Sequence, residues 1–331
     1  MDLLDRLRLD VPVAQAGMGG RLAGARLAAA VAAAGGLGTL GLLPSGELRV
    51  AIGQVREQAP GRAVAVNLLM PFVKRRHVQV CIEAGVDVVV VAFGGDAALV
   101  RELRGAGIFV FVMVGTEDQA RTAVSWGADG LIAQGREAGG HLVGEVAALE
   151  FLPRAITIAQ GRPVLLAGGI ATADDTAAAL AAEASGVVAG TRFLMTEESA
   201  AHPDYQRRVI AARNTMVTTL FGLSWPTPHR VIPNEATDRW CHPDGTPRRL
   251  PAMLNSRTEF LARLAPENGD RVLPALQHPR LPFFSPAAPL ADMPPTHVDR
   301  TALYAGESAR RITAIVPARL AVAELAGQVS G

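Results

Sequence analysis

Between Val13 and Ala189 the chain repeats one pattern eight times: a short apolar run, then a longer amphipathic or Ala-rich stretch or a turn toward one. Parallel strands cannot be joined by tight hairpins and need crossover connections, so this alternation predicts parallel strands linked by helices. The strand candidates are Val13 to Gln15, Leu37 to Leu40, Val64 to Asn67, Val86 to Val91, Phe109 to Val114, Gly130 to Ala133, Pro163 to Ala167 and Gly186 to Ala189. Helices are predicted over 22–34, 48–58, 73–83, 97–104, 117–126, 147–160 and 173–183. Eight strands are the number that closes a (β/α)8 TIM barrel, and that α/β fold is the expectation. An open doubly wound sheet would carry a Gly-x-Gly-x-x-Gly turn and a downstream acid, and Gly17-Met18-Gly19-Gly20 does not continue that way.

Several predicted helices end in a glycine that suits a left-handed terminus, namely Gly35, Gly85, Gly107 and Gly127. Beyond residue 195 the texture changes. Residues 196–216 read as polar and helical, and 222–300 are dense in proline, which prevents long helices and central strands. The expected organisation is a barrel over 1–195, an inserted, partly helical cap over 196–302, and a C-terminal segment over 303–331 returning to the barrel wall. Pro317 is placed to open a helix there.

Charge narrows the function classes. The 32 basic and 31 acidic side chains nearly cancel, so nothing calls for nucleic acid or an anionic membrane surface as partner. Lys74 is the only lysine, which excludes a phosphate loop ending in Gly-Lys-Ser/Thr and leaves one residue for any Schiff base. The two cysteines, Cys81 and Cys241, lie far apart without metal-ligand spacing, so neither a disulfide framework nor a metal site is expected. The charged N-terminus does not read as a secretory signal, and no apolar run of about 18 residues is present. A soluble, cytoplasmic protein is the expectation.

Active sites of such barrels lie at the C-terminal strand ends, and the last two βα turns commonly hold phosphate. Here they read Ala167-Gly168-Gly169-Ile170 and Ala189-Gly190-Thr191-Arg192-Phe193. Each offers bare backbone amides before a helix N-terminus, with the Thr191 hydroxyl as a further donor; each also reads as an ordinary tight turn. After the sixth run comes Gln134-Gly135-Arg136-Glu137-Ala138-Gly139-Gly140-His141. Glycines 139 and 140 suit a turn against which a ligand lies, and His141 is the candidate general base because imidazole titrates near neutrality. The alternative is a histidine that caps a neighbouring carbonyl. Asn67 at its strand end either reads a heterocycle edge or caps the next helix, and Met18 either faces a ligand or packs. The other histidines, 77, 202, 229, 242, 278 and 297, read as solvated or structural.

These stretches, with Pro12 to Met18, Ala34 to Gly38, Val66-Asn67 and Tyr304-Ala305-Gly306, resemble the nitronate monooxygenase family, formerly called 2-nitropropane dioxygenases. The resemblance covers nearly the whole predicted barrel and touches the tail. It implies an FMN-dependent barrel that oxidises alkyl nitronates, such as propionate 3-nitronate, with O2 to a carbonyl compound and nitrite. It matches His141 to the catalytic histidine, taking the α-proton of a neutral nitroalkane or steadying a nitronate. Ala16, Gly17, Met18, Asn67 and Gln134 match positions around the flavin ring and ribityl chain, Gly139 and Gly140 the turn beside it, and Gly168, Gly169, Gly190 and Thr191 the phosphate site. Partners would be a small-molecule substrate and O2, and a homodimer is compatible with the sequence. Two features depart from the family pattern. Gly17 stands where proline is usual, which should loosen that loop, and the loop after the fourth strand reads Phe93-Gly94-Gly95-Asp96 without the following proline. FMN-dependent enoyl-acyl-carrier-protein reductases share the Gly-Gly-His element and, with related quinone reductases, would use NAD(P)H to reduce the flavin; they form the alternative reading. A non-redox phosphate-binding barrel is a further one.

Overall fold

The computed structural model describes residues 3–258 and 269–328, with the side chains of 269–272 not described. Eight parallel strands form the core sheet: β1 (Val13–Gln15), β2 (Thr39–Leu40), β3 (Ala65–Leu69), β4 (Val88–Ala92), β5 (Phe109–Val114), β6 (Gly130–Gln134), β8 (Val164–Ala167) and β9 (Gly186–Ala189). A two-residue strand, β7 (Gly140–His141), lies between β6 and β8 in sequence but belongs to another sheet. The core order is β1-β9-β8-β6-β5-β4-β3-β2, and a parallel Ala14–Leu37 bridge joins its two ends. The chain therefore folds as the expected (β/α)8 barrel.

Strands 88–92 and 109–114 are almost wholly apolar because both their faces are covered, as parallel sheets require. The two-residue period still sorts their side chains. Val89, Val91, Val110 and Val112 pack outward under the helices, while Val88, Val90 and Phe111 point into the barrel with Ala65, Ala14 and Ala167. Phe111 is fully buried at the centre, and a Cβ on Gly130 would fall 2.5 Å from its Cε1, so that glycine makes the room. The helix Leu3–Leu7 closes the N-terminal mouth with Leu3 and Leu7, leaving the C-terminal end as the open one.

The helices follow the expected segments with shifted ends. Glu117–Trp126 is as expected, whereas the second crossover helix begins earlier, at Ser45, and the first begins only at Ala25. Gly35, Gly85, Gly107 and Gly127 all take positive φ, between 60° and 88°, as helix-ending glycines should. The helix Ala318–Leu325 opens after Pro317 and buries Ala318, Ala321, Val322 and Leu325 in the outer barrel core.

Residues 196–302 contain the short helices Pro203–Ala211, Glu235–Trp240, Arg249–Thr258 and Gly269–Leu276, together with β10 (Met216–Thr218) and β11 (His229–Val231). The helix expected across 196–216 thus shrinks to 203–211, capped by the His202 imidazole. Sequence reading missed the antiparallel sheet β10-β11-β7 altogether. Its register sets His229 opposite His141 and Arg230 opposite Gly140, so the loop after β6 is hydrogen-bonded to the proline-rich segment.

Candidate active site

The C-terminal ends of the barrel strands surround a cavity of about 330 Å³, within the range of small-molecule sites. All twelve residues singled out from sequence, Ala16, Gly17, Met18, Asn67, Gln134, Gly139, Gly140, His141, Gly168, Gly169, Gly190 and Thr191, line it. The proline-rich segment roofs the cavity with Leu223, Trp225 and Ser285 to Ala288, and the tail contributes Tyr304.

Asn67 lies inside β3, which runs two residues further than expected, so it does not cap the next helix. Its Nδ2 donates to Gly17 O at 2.7 Å, while its buried Oδ1 has no partner. Gly17 is fixed by this approach, because a Cβ there would sit 2.3 Å from Asn67 Cβ. The loop expected to be loosened by glycine is pinned instead. An unsatisfied buried acceptor is costly, about 1–3 kcal/mol, so Oδ1 fits a ligand carrying an N–H or O–H.

Gln134 acts on the protein itself. Its Nε2 donates to His141 O at 3.2 Å and its Oε1 accepts from Val143 N at 2.9 Å, which fixes the loop carrying the histidine. Glu137 in the same loop accepts from Ala148 N at 3.2 and 3.0 Å, capping the helix Ala148–Ala159 with a carboxylate at its positive end. Gly139 is required because the tail backbone presses against it: a Cβ would lie 2.4 Å from Gly306 N. Gly140 has open space around it and is required by its φ of 76°. Packing against the tail thus accounts for Gly139 and backbone conformation for Gly140.

His141 projects from β7 into a ring of aromatics. Trp225 stacks on it, centroids 3.6 Å apart at 15°, with His229 at 4.9 Å and Tyr304 at 5.4 Å. Its Nε2 is buried without a hydrogen-bond partner. Burial, then the nearby His229, holds the imidazole pKa well below its ordinary 6.5, so it is neutral at pH 7 and able to accept a proton. His229, set aside as structural from sequence, is fully buried beside it. Phe221 N donates to His229 Nε2 at 3.3 Å and Nδ1 faces Thr227 O at 2.9 Å, which fixes the proton on Nδ1. No sequence signal marked Trp225, which follows no periodic run.

On the opposite wall Gly168 and Gly169 take φ of 110° and 76°, opening the turn after β8 toward the cavity. Arg311 donates to Asp175 at 2.6 and 2.8 Å and also to Gly169 O, which ties this turn to the tail. Thr191 begins the short helix Thr191–Leu194, and its hydroxyl accepts from Gly306 N at 2.9 Å. Beside Gly190, these positions form a concavity at a helix start.

Residues 50–327 match the family described as nitronate monooxygenase. The chain belongs to that family. Membership makes this nitronate monooxygenase relative an oxidoreductase and removes the non-redox barrel from consideration. It is 37% identical over 245 residues, covering 72% of this chain and 67% of the relative, to the Mycobacterium tuberculosis (3aS,4S,5R,7aS)-5-hydroxy-7a-methyl-1-oxo-octahydro-1H-indene-4-carboxyl-CoA dehydrogenase. Among solved structures it is similar to FabK from Thermotoga maritima, with a TM-score of 0.76 and 29% identity, covering 98% of this chain and 94% of that one. Nitroalkane oxidase from Streptomyces ansochromogenes aligns with a TM-score of 0.73 and 26% identity over 98% of this chain and 96% of that one. Among the described residues no helix is long and apolar enough to cross a membrane.

Proposed function

We propose that this family member is an FMN-dependent oxidoreductase that oxidises alkyl nitronates with O2 to a carbonyl compound and nitrite, with His141 as its base. The observation that carries this reading is the His141 imidazole, neutral, with Nε2 lacking a partner, at the rim of the strand-end cavity. The residues fit the cofactor: Asn67 Oδ1 is an unpaired acceptor for a flavin N–H or ribityl hydroxyl, and Gly168, Gly169, Gly190 and Thr191 would hold the phosphate. FMN, when bound, supplies the two-electron redox chemistry. His141 takes the proton from the carbon α to the nitro group of a neutral nitroalkane, and at pH 7 it is in the neutral form that this step requires. Trp225, Tyr304 and the apolar roof exclude water from the reacting carbon. The barrel 1–195 would bind the cofactor, and 196–302 would close over the substrate. With both cysteines free and buried, a reducing cytoplasm suits it.

A second reading, a flavin enzyme exchanging electrons with NAD(P)H or an acyl thioester, is supported by the likeness to FabK and by the CoA-ester dehydrogenase relative. In it the same imidazole would move a proton α to a thioester carbonyl. Purified protein should be yellow and release nitrite from propionate 3-nitronate in air. Anaerobic bleaching of the flavin by NADH or NADPH, with no response to nitronate, would overturn the first reading in favour of the second.

A further inference from the structure

Trp225 comes from the irregular stretch between β10 and β11, yet its indole lies flat on the His141 imidazole, 3.6 Å away at 15°. Phe72 and Phe93 meet the indole edge-on at 5.3 and 4.9 Å. Among the described residues Trp225 Nε1 makes no hydrogen bond, whereas Trp240 donates its Nε1 to Pro279 O at 2.7 Å. The backbone of Trp225 donates to Gly222 O and accepts from Thr227 N, but ring contacts hold its indole, without the side-chain tether that fixes Trp240. Two non-glycine residues beside it adopt positive φ, Phe93 at 64° and Ser224 at 66°. Such conformations persist where the surrounding structure holds them, and they concentrate at ligand clamps and switches. Meanwhile His141 Nε2 is buried with no partner.

We propose that Trp225 is the size filter of this site: its indole, stacked on the His141 imidazole and lining the same cavity, bounds the space open to the substituents of the reacting carbon. The inference rests on His141 being the base. It assigns the substrate a small or flat group at that carbon, since bulk there competes with the indole for one space. The groups facing the imidazole from the other packed elements are His229 from β11, Tyr304 from the tail and Phe93 from the turn after β4. None is a carboxylate or guanidinium, so the indole is the cover whose removal solvates the ring.

The test uses the flavin-loaded enzyme with Trp225→Ala and Trp225→Leu, folding being checked by flavin content and melting; the leucine variant serves if the alanine one does not fold. Ethylnitronate and the nitronate of nitrocyclohexane are compared by kcat/KM. The cyclohexyl-to-ethyl ratio should rise about tenfold or more, the scale at which pocket size discriminates. Histidine-labelled NMR should show His141 titrating nearer 6.5 in the variants than in the wild type. Where the wild type turns over ethylnitronate, an unchanged ratio overturns the proposal. Where it turns over neither compound, the nitronate reading is what fails, and the NMR titration decides: an unmoved His141 overturns the role of the indole beside it, an upward shift supports it.

Discussion

One contact that holds the loop before His141 is backbone against backbone, and it can be attacked from either side. In Gly139→Ala the new Cβ would meet Gly306 N at 2.4 Å and Ala305 C at 2.6 Å. Ordinary contact begins near 3.4 Å, so the two segments must separate by about 1 Å. Neither neighbour is a flexible side chain, and overpacking of this kind costs about 1–3 kcal/mol. At about 2–4 °C per kcal/mol for proteins of 150–250 residues, and somewhat less for a longer chain, melting should fall by several degrees. Gly306→Ala meets the same interface from the tail, 2.7 Å from Glu137 O and 2.9 Å from Gly139 N. Both changes are relieved by one separation, so the double variant should lose less than the sum, with a coupling of about 0.5–3 kcal/mol. Gly61→Ala is the control: its φ is 77° and nothing lies within 4 Å, so its loss should add to that of Gly139→Ala. Thermal melting of all these variants, with turnover measured alongside, reads the cycle. A Gly139→Ala protein that melts with the wild type, or a strictly additive pair, would refute the clamp.

Three further outcomes are expected. His141→Ala should retain flavin, seen in its visible spectrum, while turnover of a neutral nitroalkane falls about 10²–10⁴-fold and that of the preformed nitronate falls less. Asn67→Ala should weaken flavin binding about two- to twelvefold in a fluorescence titration, the worth of one net hydrogen bond of about 0.5–1.5 kcal/mol. His229 is buried and its pKa falls from 6.5 to about 4, so the unfolded chain takes up the proton first as pH drops. Stability should therefore be full above pH 6.5 and be lost progressively down to about pH 4, by roughly 3 kcal/mol. In His229→Asn, urea melts across this window should show a flatter slope.

The barrel was legible because each strand has two buried faces and each crossover helix a periodic one, signals that survive without any partner in view. Strand ends were less so: β3 continues past Asn67, and this moved Asn67 from a helix cap to a cavity wall whose amide grips Gly17. The strand-end residues of the site were readable for the same reason, since fold topology alone sends them to one rim. What could not be read depends on contacts distant in sequence. Strands of two and three residues such as β7 and β11 carry no period, so the pairing of His141 with His229 left no trace. Trp225 sits among prolines in a segment with no pattern, and Gly139 owes its identity to a tail more than 160 residues away in the chain.

The pairing of β7 with β11 means that the imidazole hangs from the roof as much as from the barrel. A change in residues 216–231 made to alter the roof would shift the strand to which His141 is hydrogen-bonded. The shape of the roof and the placement of the imidazole are inherited together here. An exchange of roofs between relatives would have to carry β10, β11 and the Trp225 stretch as one cassette, and a barrel given a foreign roof without β11 would keep its strand-end wall while losing hold of His141.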